Sequence, residues 1–169
     1  MSAIAEGTLL WQPSAERREA SQIAHYMRWL ADRKGRKFDS YQALWQWSVT
    51  DVEAFWASLW EYFPIRASAP YTSVLDARKM PGAKWFAGAK LNYAEHAFRY
   101  ASSAHPALIA QSELRKRSEV SWAQLEQHVA SVAASLREMG VKQGDRVVSC
   151  MPNMPETVIA FLACVSIGA

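Results

Sequence analysis

The sequence predicts an α/β protein: an N-terminal helical cap followed by the truncated beginning of a larger α/β domain. Three observations carry this expectation. Residues 14–64 place apolar side chains at three- and four-residue intervals between capping residues, the pattern of helices that bury one face. Residues 106–167 alternate short apolar runs with longer amphipathic ones, and strand–helix–strand–helix order signals a parallel sheet with right-handed crossovers. Between them, residues 65–100 hold Pro70, Pro81 and the small-residue turn Ala87-Gly88-Ala89, a connecting region. The expected divisions are thus 1–64, 65–100 and 101–169.

In the cap, Ser14 is placed to start a helix over residues 15–33, with Ile23, Tyr26, Met27 and Leu30 on one face and Gly35 ending it. A shorter helix runs from Ser40 through Trp47. Thr50-Asp51-Val52-Glu53 then has the form of a capping box, in which the Thr hydroxyl and Glu carboxylate satisfy free amides reciprocally. The helix it opens carries Val52, Phe55, Trp56, Leu59, Trp60 and Phe63 and stops at Pro64. Such an aromatic stripe could cage a ligand; burial of the stripe against a neighbouring element is the plainer reading.

In the connecting region, residues 65–81 are expected to run extended over a surface. Trp85-Phe86-Ala87-Gly88-Ala89 follows, and Gly88, lacking a side chain, lets the backbone pass close to another group. A helix over residues 91–100 comes next, with Leu91, Ala94, Ala97 and Phe98 inward and Asn92 near its start. A small-residue turn before a helix could be an anion site, because free amides point outward; from the residues alone, close packing of the turn against a strand is the preferred reading.

In the back section, residues 106–111 read as a short buried strand, and Arg115-Lys116-Arg117 as a solvated hairpin tip before a return strand near Glu119-Val120. Ser121 and Gln124 make a capping box for a helix over residues 122–139, whose apolar face is Leu125, Val129, Val132, Leu136 and Met139 and whose stop is Gly140. Residues 146–151 show little alternation, as expected of a strand buried on both faces. A nearly all-apolar helix then runs from Pro155 to Ile167, closed by Gly168. Two long strands cannot cover such a sheet, so the fold is expected to be incomplete at residue 169.

Totals exclude several functions. Half of the 169 residues are hydrophobic and 21% are charged, as in an ordinary globular protein. A net charge of +3, dispersed along the chain, gives no footprint for nucleic acid. Two cysteines supply neither a disulfide framework nor metal spacing. Residues 1–12 lack the features of a secretory signal, and the longest apolar run is far short of the ~20 residues that span a bilayer. A cytoplasmic protein without membrane or nucleic-acid partners is the expectation. His25, His96, His105 and His128 stand apart from other ligands and read as structural. Cys150 and Cys164 read as inert core thiols, and Asp145 as a turn cap.

The back section resembles the opening of the large domain of adenylate-forming enzymes. The matching residues are Ser121-Trp122, Leu136, Gly140-Val141, Gly144-Asp145-Arg146-Val147, Met151-Pro152, Pro155-Glu156, Ala163 and Gly168-Ala169. Within that superfamily the front section is similar to acetoacetate–CoA ligases. That likeness rests on Leu10-Trp11-Gln12-Pro13-Ser14, Leu44-Trp45-Gln46-Trp47-Ser48-Val49, Phe55-Trp56, Met80-Pro81-Gly82 and the stretch from Trp85-Phe86-Ala87-Gly88-Ala89-Lys90 through Leu91-Asn92-Tyr93-Ala94-Glu95.

The resemblance implies a two-step ligase using ATP, Mg²⁺ and coenzyme A. Adenylation gives a carboxylate a good leaving group, and the coenzyme A thiol then displaces AMP. The implied partners are acetoacetate, ATP and coenzyme A. The family's phosphate loop, metal-holding acids and mobile lysine-bearing domain come later in such chains, so the resemblance implies no catalytic residue and no metal ligand within these positions. It carries over one contact: a Phe-x-Gly-Gly turn at the coenzyme A entry maps onto Phe86, Gly88 and Ala89, with Ala89 in place of the second glycine. Two other readings stand beside it: a non-catalytic module that binds coenzyme A or a partner, and a ligase for acetate or propionate.

Overall fold

The computed structural model describes residues 5–169, so the start of the segment read as lacking a secretory signal lies outside the described residues. The chain forms two compact units, one of residues 1–65 and 73–87, the other of residues 66–72 and 88–169.

The first unit contains α1 (Ala15–Glu19), α2 (Gln22–Lys34), α3 (Tyr41–Thr50), α4 (Val52–Tyr62) and an antiparallel hairpin of β1 (Ser73–Leu75) and β2 (Trp85–Ala87). The single helix expected over 15–33 is two. The Ser21 hydroxyl accepts the Ala24 amide at 3.2 Å and starts a new helix there, while Ala20 closes the first. Gly35, at φ 62°, ends α2 in the left-handed conformation that glycine adopts without a Cβ penalty. The expected capping box at Thr50 is not formed. Thr50 belongs to α3 and its hydroxyl donates to the Gln46 carbonyl at 2.9 Å, while the Asp51 carboxylate caps α4 through the Ala54 amide. Asp51 wins because α3 runs on past Trp47, leaving one residue between the helices.

The core of this unit is Tyr26, Leu30, Leu44 and Trp47, with Met27, Trp29, Phe38, Phe55, Leu59 and Tyr62 packed around it. Ile23, expected inward, is exposed. The Tyr26 hydroxyl pairs with that of Ser58, the buried polar residue of α4, and burial raises the Tyr26 pKa above the usual phenol value. The stripe of α4 divides between two neighbours. Phe55 and Leu59 face the helical core, whereas Trp56 and Trp60 meet the hairpin rings Trp85 and Phe86 at centroid distances of 5.3 and 4.6 Å. The stripe is packed against these neighbours but only partly buried: Phe55, Leu59 and Trp60 are half-buried, while Trp56 and Phe63 are 41% and 51% exposed. Residues 65–81, expected to be extended throughout, include β1.

The second unit contains α5 (Tyr93–Phe98), a hairpin of β3 (Leu108–Ala110) and β4 (Ser118–Val120), α6 (Trp122–Glu138) and α7 (Pro155–Ile167). The Ser121–Gln124 capping box is present in both directions, at 3.2 and 2.9 Å. Leu125, Val129 and Ala133 of α6 join Leu162 and Ala163 of α7 and Ala94 of α5 in one core. Met139 and Leu91, both expected inward, are exposed. Gly168 ends α7 at φ 85°.

The expected parallel sheet is not seen: the described strands form two antiparallel pairs. Residues 146–151 carry no ladder, and Val148 is 91% exposed. A strand exists only through hydrogen bonds to a neighbouring strand, and among the described residues this segment has none. Cys150 is accordingly exposed rather than a core thiol, and Cys164 is half-buried. The fold is helices with small sheets.

Asn92 ties this unit together. Its Oδ1 accepts the Ala94 amide at 2.9 Å and caps α5, while its Nδ2 donates to the Val165 carbonyl at 2.9 Å at the end of α7. Asn92→Ala is expected to lose about 1–3 kcal/mol of stability by urea denaturation. Asn92→Asp, which keeps the cap acceptor but not the donor, is expected to retain only part of that loss.

Candidate functional site

The β1–β2 hairpin presents the stretch that the sequence singles out. Its long loop is closed by Asp76, whose Oδ1 accepts the Lys84 amide at 2.8 Å and whose own amide donates to the Lys84 carbonyl at 3.1 Å. The Lys84 amide holds the Asp76 carboxyl below the usual carboxylate range. Arg78, on the same loop, reaches the start of α4 and donates to Glu53 Oε2 at 2.6 Å and to the Thr50 carbonyl at 3.2 Å. This bond lowers the Glu53 pKa and raises that of Arg78. Glu53, expected in a capping box, is thus the anchor for a loop 25 residues away.

Two positions, one in β2 and one in the turn after it, have left-handed backbones with one residue between them. Phe86 lies at φ 46° and Gly88 at φ 86°. For glycine this conformation is free of strain; for phenylalanine it costs on the order of 1–3 kcal/mol. The Phe86 ring packs on Trp60 with the ring planes 34° apart. A Cβ placed on Gly88 would stand 3.6 Å from the Pro70 carbonyl oxygen and 3.7 Å from Thr72 Cγ2, ordinary contact distances. The expectation of a close approach is therefore corrected: conformation, not space, is what requires glycine here.

Gly88 and Ala89 open the second unit. Residues 68–69 pair with Lys90, whose carbonyl accepts the Ser68 amide at 2.7 Å and whose amide donates to the Ala69 carbonyl at 3.2 Å. This pairing makes a rigid base under an exposed glycine. The anion site expected at the helix start is not formed as such, because Asn92 takes the Ala94 amide and α5 is six residues long. Of the three residues singled out, Gly88 is exposed, Ala89 half-buried, and Phe86 half-buried against Trp60. The turn is small, exposed backbone with an exposed lysine, Lys90, next in sequence.

Elsewhere, three of the residues set aside as structural, His25, His96 and Asp145, make hydrogen bonds within their own units. His25 pairs with the Tyr62 hydroxyl at 2.7 Å, and His96 Nε2 lies 3.3 Å from the Arg66 amide. Asp145 Oδ2 accepts the Lys142 amide at 2.7 Å, the expected turn cap. Arg115 pairs with Glu156 and Arg117 with Glu119, so the basic hairpin tip is a solvated, internally paired feature. Among the described residues no three His, Cys, Asp or Glu side chains gather to hold a metal, and no helix is long and apolar enough to cross a membrane. An open groove of about 1190 Å³ lies in the first unit, bordered by Pro13, Arg17, Met27, Phe38 and Tyr41. It is remote in sequence from the turn and brings together no chemistry that the mechanism needs. Sequence reasoning did not single out Trp60 as the partner of Phe86; the four-residue step from Trp56 to Trp60, matching Trp85-Phe86, is the one signal it offered.

Comparison with known proteins gives the same picture along the chain. Residues 41–97 match the acetyl-coenzyme A synthetase N-terminus family and residues 95–169 the AMP-binding enzyme family. The chain is 37% identical over 160 residues to an acetoacetyl-coenzyme A synthetase of Rhizobium meliloti, covering 95% of this chain and 24% of that protein. It is 37% identical over 169 residues to an acetoacetyl-CoA synthetase of Gallus gallus, covering 98% of this chain and 25% of that one. A solved structure of acetoacetyl-CoA synthetase from Streptomyces lividans matches with a TM-score of 0.86 at 45% identity, over 94% of this chain and 25% of that chain. This chain spans about a quarter of the length of these relatives.

The Glu53–Arg78 pair gives a pH test of the hairpin anchor. A depressed carboxyl pKa contributes stability above the ordinary glutamate value of about 4.3, and that contribution is lost as pH falls through the folded value. Glu53→Gln is therefore expected to melt below the parent at pH 7, with the two melting curves converging as the pH falls below that ordinary value.

Proposed function

From a chain that resembles the first quarter of acetoacetyl-CoA synthetases along nearly its whole length, we propose the N-terminal part of an acetoacetate–CoA ligase. The whole protein would join acetoacetate and coenzyme A through an acyl-adenylate, with ATP consumed and pyrophosphate and AMP released. The observation that carries this reading is continuity: two successive family matches abut at residues 95–97, and the 0.86 structural match spans both. Residues 101–169 begin the AMP-binding part, and residues 1–64 with 65–100 form the part that precedes it.

The chemistry divides accordingly. A free carboxylate is a poor electrophile, and transfer of adenylate to it requires charge stabilisation on phosphate by Mg²⁺ and fixed donors. No cluster for a metal forms among the described residues, and the sequence has no Gly-x-x-x-x-Gly-Lys-Ser/Thr loop. The part given to residues 86–89 is a contact with coenzyme A, and their structure fits it. An exposed glycine turn with accessible backbone, held by the 68–69 pairing to Lys90, can pack beside a nucleotide without a side chain in the way. Phe86, two residues earlier, is half-buried against Trp60, and Ala89 adds one methyl where a glycine would add none.

Two experiments on the full-length protein test this. Acetoacetate-dependent ATP–pyrophosphate exchange is expected, with acetate supporting at most a small fraction of that rate. Exchange with acetate in place of acetoacetate would contradict the substrate assignment. Gly88→Val is expected to raise the KM for coenzyme A about tenfold with little change in the exchange rate, since exchange precedes thiol attack. An unchanged KM in a folded variant would remove the contact.

A further inference from the structure

α3 differs from α2 and α6 in what it sets on its outer face. Its ten residues, Tyr41–Thr50, include no charged side chain. Leu44 and Trp47 fill the core of the first unit. Tyr41, Trp45 and Val49 follow one another at four-residue steps, the spacing that places side chains on one face of a helix, and they are 61%, 44% and 47% exposed. Beside them run Gln42, Gln46 and Thr50, all exposed and all uncharged. By contrast, α2 exposes Arg28, Asp32 and Arg33, and α6 exposes Glu126, Arg137 and Glu138.

Single apolar side chains on a surface need no explanation. A row of three with two aromatic rings, on a helix that already buries its other face and carries no charge, does. A helix facing water on one side keeps charged and polar residues there, and one that is apolar on both sides is covered on both. Depletion of charge with enrichment in aromatic rings marks the centre of an interface. The missing charge also says what kind of partner fits. Surfaces for transient encounters use charge to steer the partner in, whereas permanent contacts are the more hydrophobic ones. The face therefore suits a permanent neighbour that is itself apolar and uncharged. Its relatives are about four times as long as these residues, and a neighbour on the same polypeptide is present at high effective concentration.

We propose that the Tyr41–Trp45–Val49 face of α3 is an internal docking surface, covered in the full-length protein by an apolar, uncharged segment of the same polypeptide outside these 169 residues. The proposal rests on the reading of the chain as the N-terminal part of a longer ligase.

Two variants of the full-length protein test it. In Val49→Cys, modification of the new thiol by iodoacetamide is followed on the peptide that contains it by mass spectrometry, with the same protein unfolded in urea as the reference. A half-exposed side chain reacts within about tenfold of the unfolded rate; the docked face is expected to react at least about a hundredfold more slowly. Tyr41→Glu gives a sign test. Residue 41 opens α3, so a carboxylate there is favoured by the helix dipole if the face meets water, and Tm then stays or rises. On a covered face the same carboxylate is expected to lower Tm by more than about 5 °C.

Fast modification at residue 49 overturns the proposal, and so does an unchanged or raised Tm in Tyr41→Glu. Protection that fades on dilution marks a second copy as the occupant and overturns it as well. Should Val49→Cys fail to fold, Tyr41→Cys carries the same labelling test with the same two outcomes. The underlying reading fails separately, through an intact natural mass of 19.0 kDa. A mass about four times larger with fast modification leaves that reading in place and removes only the docking surface.

Discussion

The first unit depends on one helix with two apolar faces. α4 places Phe55 and Leu59 on the core of Tyr26, Leu30, Leu44 and Trp47, and Trp56 and Trp60 on the hairpin rings Trp85 and Phe86. Each face makes the other's geometry obligatory, because a rotation of the helix that improved one contact would strip the second. Aromatic pairs of this kind contribute about 0.5–1.5 kcal/mol each beyond the area they bury. Two of them acting on a three-residue strand are enough to hold a hairpin too short to be stable alone. Phe86, one of those rings, has a left-handed backbone at φ 46°.

In the second unit the corresponding constraint is polar. Asn92 spends both ends of its amide, one on the α5 cap and one on the last turn of α7, so a side chain at residue 92 closes a loop to residue 165. Around it Leu125, Val129, Ala133, Leu162 and Ala163 pack as a small helical core. The segment over residues 146–151 contributes apolar side chains without covering them, and Val148 stands almost fully exposed. This chain spans about a quarter of the length of the relatives it matches.

Much of this was readable from local chemistry. The Ser121–Gln124 box, the Gly35 and Gly168 stops, the Asp145 turn and the limits of α7 are each written in a few adjacent residues. The errors have equally specific causes. Ser21 split the first helix because a mid-helix serine competes as a cap, which periodicity does not weigh. Thr50 and Asp51 are both good caps, and choosing between them required knowing where α3 ends. β1 is three residues long and exists through its pairing with β2, twelve residues distant, so no local pattern announces it. Residues 146–151 have strand composition, but composition does not supply a partner. At the candidate site the identity of the turn was legible through its glycine. The left-handed Phe86 and its contact with Trp60 were not, because they arise from tertiary packing.

The proposal that these residues form the N-terminal part of an acetoacetate–CoA ligase is tested most directly by the intact mass of the protein from its natural source. A chain that forms about a quarter of its relatives' length predicts a species roughly four times the 19.0 kDa of these residues. A single species at 19.0 kDa would contradict it, and would leave a coenzyme A- or partner-binding module as the reading of this fold.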